Sequence, residues 1–84
     1  MSPRRVVQIL RWFELDGAAL VGEEVLARVP PLLLREVCER PPDDLLLGTY
    51  PVGDAQAQVL APWISHVFDR DRFSYVIEPA QVSD

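Results

Sequence analysis

Prolines set the scale of everything this chain can build. Eight of them divide 84 residues, paired at Pro30-Pro31 and Pro41-Pro42 and single at Pro3, Pro51, Pro62 and Pro79. Proline fixes φ and offers no N–H, so each one limits the helix or strand around it. Short elements are therefore expected. The length leaves room for one domain, residues 1–84. A domain of that size buries roughly 60% of the surface its unfolded chain exposes, so stability is expected to be modest. With 49% apolar and 25% charged residues, the balance is that of a folded chain.

Between the prolines the pattern reads β-β-α-β-α-β. The first segment, Arg4 to Leu15, is ambiguous. Val6, Ile9, Leu10 and Phe13 fall on a helical stripe, yet Val, Ile, Trp and Phe favour strands. Asp16-Gly17 between two apolar runs breaks the tie, because Asp-Gly favours a tight hairpin turn with positive φ. Strand one is read over 7–15 and strand two over 19–24, with Gly22 marking a bulge or an edge. Pro31 suits the first turn of a helix. Leu33, Leu34, Val37 and Cys38 form its apolar face, Glu36 and Arg40 pair at i, i+4, and Pro41 ends it after Arg40. A short irregular strand is read over 47–50. A second helix opens with Asp54 as N-cap and ends or kinks at Pro62. Phe73, Tyr75 and Ile77 alternate with Ser74, Val76 and Glu78, giving a strand over 72–78 closed by Pro79. Residues 80–84 are expected to fray. The fold expected is a two-layer α+β sandwich: a small, largely antiparallel sheet with two helices on one face.

Charge and composition exclude several chemistries. Thirteen acidic residues against eight basic ones give a net charge of −5. That is a poor match for nucleic-acid phosphates and a better one for a basic protein surface. Arg4, Arg5 and Arg11 form a local basic exception, read as a solvated terminus. All eight basic residues are arginine, so no Schiff-base or phosphate-loop lysine is possible. Cys38 is the one cysteine, and an internal disulfide is ruled out. The N-terminus does not resemble a signal peptide. No apolar stretch approaches the ~20 residues of a membrane span. The cytoplasm is the expected compartment.

No constellation of reactive residues stands out. His66, the one histidine, has Asp69 and Asp71 nearby, but no second histidine or thiolate cluster completes a metal site. Cys38 paired with His66 would make a nucleophile and base, but Cys38 sits on an apolar helix face and reads as core. Asp43, Asp44, Asp69 and Asp71 fall in turns expected to be exposed, where carboxylates make poor general acids at neutral pH. No cofactor and no metal are expected. Trp12 and Phe13 are adjacent and point to opposite sides of a strand, so one of them lies on the second face of the sheet. An aromatic there beside Arg11 has the character of an interface anchor.

Several stretches together resemble a family of short uncharacterised bacterial proteins, a domain of unknown function. They are Arg11-Trp12-Phe13-Glu14 with Leu20-Val21-Gly22-Glu23, then Pro41-Pro42-Asp43-Asp44. Tyr50-Pro51-Val52 leading to Gln56, Leu60 and Pro62 follows, and last His66 before Asp69, Asp71, Phe73 and Tyr75. The resemblance implies the strand reading of the first segment and brings no activity with it. By analogy alone, small acidic proteins of this type resemble immunity proteins that neutralise basic toxins.

The reading is of a protein-binding module, an adaptor, accessory subunit or immunity-type inhibitor, and not an enzyme. Its contact residues are expected among Arg11, Trp12, Asp43, Asp44, Tyr50, Asp69 and Asp71. Two alternatives stand beside it. One is a small ligand-binding or enzymatic site around Tyr50, His66, Asp69 and Asp71. The other is self-assembly through the edge or open face of the sheet.

Overall fold

A computed structural model describes residues 4–83, with the backbone alone described at Arg4 and Ser83. The first segment is strand throughout: β1 spans Arg4–Glu14. It pairs antiparallel with β2 (Leu20–Val25) on one side and β4 (Phe73–Ser83) on the other. A two-residue strand, β3 (Tyr50–Pro51), pairs with the outer side of β4. The order β2-β1-β4-β3 puts the two longest strands at the centre. Helices α1 (Pro31–Val37) and α2 (Asp54–Leu60) complete the α+β architecture.

Both helices cover the same face. Leu10, Tyr75 and Ile77 of the central strands share one buried cluster with Leu34 and Val37 of α1 and Ala57 and Leu60 of α2. Leu10, Leu60 and Ile77 are fully buried. Leu10 pairs with Ile77 and Trp12 with Tyr75, so the even positions of β1 and the odd positions of β4 look toward the helices. Leu26, Val29 and Leu46, in connecting segments, add to that core.

The structure corrects several expectations. The hairpin is not an Asp-Gly two-residue turn. Glu14 N–H donates to Ala19, Ala18 N–H donates back to Glu14, and the positive φ falls on Ala18, at 54°. Helix α1 ends before Arg40 because Glu39 adopts φ 57°. Its N–H reaches Glu36, and that of Arg40 reaches Arg35, the crossed pair of bonds that closes a helix around a left-handed residue. Arg40 then pairs with Asp44, at 2.8 Å, rather than with Glu36. Gly53, not Asp54, caps α2: its N–H donates to Gln56 Oε1 at 3.0 Å. Asp54 lies in the first turn and pairs with Arg70 at 2.7 Å. The helix ends at Leu60, and a 3-10 turn at Ala61–Trp63 carries Pro62. Strand β3 is shorter and later than expected.

The largest correction concerns the C-terminus. Residues 80–83 do not fray: β4 runs through Pro79, and Ala80 to Ser83 pair with Val7 to Arg4. Asp84 lies outside the described residues. Val52 N–H donates to the Tyr75 carbonyl, so the main-chain groups of odd β4 residues turn toward β3. Pro79 shares that parity, but β3 has already ended there. Its missing N–H therefore leaves no ladder bond unmade.

Candidate functional site

The helices leave the second face of the sheet uncovered, and that face carries the candidate site. Arg11 is at its centre. Its Nε donates to Glu23 on β2 and its Nη1 to Glu78 on β4, each at 2.8 Å. Thr49 Oγ1 adds a bond to Glu78 at 3.1 Å. Arg11 holds the Glu78 carboxyl below its ordinary range, with a smaller contribution from Thr49. The two carboxylates in turn raise the Arg11 pKa further. The period-2 alternation places Phe13, Ile9 and Val25 on this same side, since Ile9 pairs with Val25 and Arg11 with Glu23.

Apolar surface flanks this ion pair network. Leu20 and Val25 are 54% and 47% exposed, and Phe13 is half-buried. The charged residues at these pairing positions are Arg5, Arg11, Glu23 and Glu78. The face is thus neutral on a chain of net charge −5. An aromatic and an arginine among apolar side chains is the composition that protein contact surfaces favour.

The residues singled out in the sequence do not converge on one spot. Arg11 lies on the uncovered face, but Trp12 lies on the helix side, stacked on His66. Phe13 is the aromatic of the uncovered face. Asp44 is not a free turn carboxylate. Its Oδ1 accepts the Leu46 N–H at 2.7 Å and its Oδ2 binds Arg40. The backbone bond, and Arg40 after it, lowers its pKa. Leu46 is buried with φ 53°, a conformation a leucine holds only when its surroundings impose it. Asp43 and Asp71 are exposed and Asp69 is half-buried. The Tyr50 hydroxyl accepts from Gly48 N–H at 3.2 Å.

The second constellation is built inward. Asp69 N–H donates to the buried Tyr75 hydroxyl, and that hydroxyl lies 2.8 Å from His66 Nε2. The Tyr75 hydroxyl thus joins Asp69 and His66, accepting from the first and sharing with the second a hydrogen bond whose direction follows the ring tautomer. Burial lowers the His66 pKa, against the opposing pull of Glu24 and Asp69. Glu24 fixes the segment by accepting both the Ser65 and the His66 N–H at 2.8 Å. Tyr50, Asp71 and Cys38 take no part in these bonds. Burial pushes the Cys38 thiol up to about 11, so it is protonated at neutral pH and fills core. Among the described residues no group of three or more His, Cys, Asp or Glu could hold a metal. No described helix is long and apolar enough to cross a membrane.

Sequence reasoning found Arg11 but not Glu23 and Glu78, which reach it from the flanking strands, or Thr49, which bonds Glu78 from a loop. Their signal was present in the alternation of β1 and β4. It becomes readable only once the register brings residues 67 apart into contact. No curated protein matches the chain. Over residues 7–78 it matches the family described as Domain of unknown function (DUF7683), and the chain belongs to that family.

Proposed function

We propose that the protein is a binding module for another protein and that the helix-free face of its sheet is the contact surface. One observation carries the reading: an uncovered, charge-neutral face with Phe13, Leu20 and Val25 around an Arg11 held by Glu23 and Glu78. An exposed apolar patch rimmed by polar groups marks interaction surfaces in soluble domains. The pre-formed ion pairs fix the Arg11 guanidinium in place, so less side-chain entropy is lost on contact. The net charge of −5 favours a partner with a basic surface, acting through steering and on-rate more than through affinity. Asp43 and Asp71 are exposed and belong to that steering field, whereas Asp44 serves the fold.

The test compares wild type with Leu20→Asp and Phe13→Ser. Both changes sit on the uncovered face, away from the core cluster. Both variants are expected to lose partner binding while keeping the thermal midpoint close to wild type. Undiminished binding by both would overturn the assignment of this face.

A further inference from the structure

The hydrogen-bond parity of β1 exposes a stretch of sheet edge. Leu26 N–H donates to the Gln8 carbonyl and Glu14 N–H to Ala19, while Leu15 N–H reaches Arg72 on the opposite side. Even residues of β1 thus turn their main-chain groups toward β2. Strand β2 ends at Val25, so the N–H and C=O of Val6 face a side where, among the described residues, no strand lies. The other edges are blunted by devices that natural sheets use against pairing. The outer edge of β2 has a bulge beside Gly22, with Glu23 and Glu24 following. β3 is two residues long and contains Pro51. Pro79 occupies the free side of β4. The edge at Val6 has none of these.

A groove runs along that edge. Val6, Gln8, Val25, Pro31, Leu34 and Leu45 contribute to its walls, and Val6 and Leu45 are 51% and 71% exposed. Gln8 gives its Nε2 to the Leu46 carbonyl at 2.9 Å. Its Oε1 is buried with no hydrogen-bond partner among the described residues.

We propose that this edge takes an extended peptide segment of a partner protein, added as a strand beside Val6 where β2 leaves off. Main-chain bonds to Val6 supply the pairing and alternate apolar side chains fill the groove. The two surfaces share Val25 at their border, but Leu20 lies on the one and Val6 on the other, so Leu20→Asp and Val6→Pro test the two assignments separately.

The probe is a displayed library of random twelve-residue peptides, selected against the chain and then measured as synthetic peptides. Expected are enriched sequences with alternating apolar residues. Their binding should shift the Gln8 side-chain amide and protect the Val6 N–H from exchange. Val6→Pro removes only an N–H that faces the open edge, so it should fold and lose at least about tenfold in affinity. Leu45→Asp, on the far wall, should weaken binding as well. Leu20→Asp should not. No enrichment, or peptides that bind Val6→Pro as well as wild type, overturns the proposal. A dimer that Val6→Pro dissolves also overturns it, by giving the edge to a second copy.

Discussion

The Trp12 indole lies flat on the His66 imidazole, with ring centroids 3.7 Å apart and planes 16° from parallel. The other side of the indole is closed by Gly22, where an added Cβ would come within 2.5 Å of Trp12. Gly22 is thus a packing requirement. Gly22→Ala should cost about 1–3 kcal/mol, lowering the thermal midpoint by several degrees and altering the Trp12 fluorescence. An unchanged midpoint would mean that the indole is free to move aside.

The burial of His66 beside Tyr75 predicts a specific pH dependence. A histidine whose folded pKa is depressed binds its proton more readily in the unfolded chain. Its contribution is therefore complete above the unfolded value near 6.5 and declines as pH falls from there toward the folded pKa. Stability should drop between pH 7 and pH 5, and His66→Gln should flatten that part of the curve. His66 is the one histidine, so a single NMR titration gives its pKa directly, expected below 6.5.

Tyr75→Phe removes the hydroxyl that serves both Asp69 N–H and His66 Nε2. With two groups left unpaired, a loss of about 1–3 kcal/mol is expected by chemical denaturation.

The two neighbouring turn aspartates should separate cleanly. Asp44→Asn weakens the acceptor for Leu46 N–H and Arg40 and should lower stability at neutral pH. Asp43→Asn, in an exposed position, should leave it unchanged. The carboxylates of Asp44 and Glu78 both have lowered pKa values. Their stabilisation is complete above the ordinary carboxylate range and is lost as pH falls below about 4. Acid unfolding of Asp44→Asn should accordingly be less steep than that of wild type.

Glu39 closes α1 with φ 57°, a conformation that costs a residue with a Cβ about 1–2 kcal/mol. Glu39→Gly should therefore raise stability, by roughly 0.5–1 kcal/mol net of the entropy glycine adds to the unfolded chain. A lower midpoint for this variant would show that the Glu39 side chain contributes more than its backbone strain costs.

These relationships show what the sequence could reveal. Element order and fold class were legible because the prolines and the period-2 run from Phe73 to Ile77 act locally. The left-handed residues were not, since Ala18, Glu39 and Leu46 stand where glycine was the signal sought. Proline at position 79 reads as a stop unless the edge parity of β4 is known, and so the paired residues 80–83 looked like a tail. The contact face was only half legible. Alternation shows that Trp12 and Phe13 part company, but which of them meets the helices depends on tertiary packing. Arg11 drew notice, while Glu23 and Glu78 needed the strand register.

The most direct test of the uncovered face as a protein contact surface is quantitative. Tagged wild type, Leu20→Asp and Phe13→Ser would each be used for affinity purification from the native host at low and moderate salt, with mass spectrometry of the bound protein. The face reading predicts one stoichiometric partner on wild type, weakened as salt rises and lost from both variants although they remain folded. A partner retained equally by all three, or none on wild type at either salt, would contradict it.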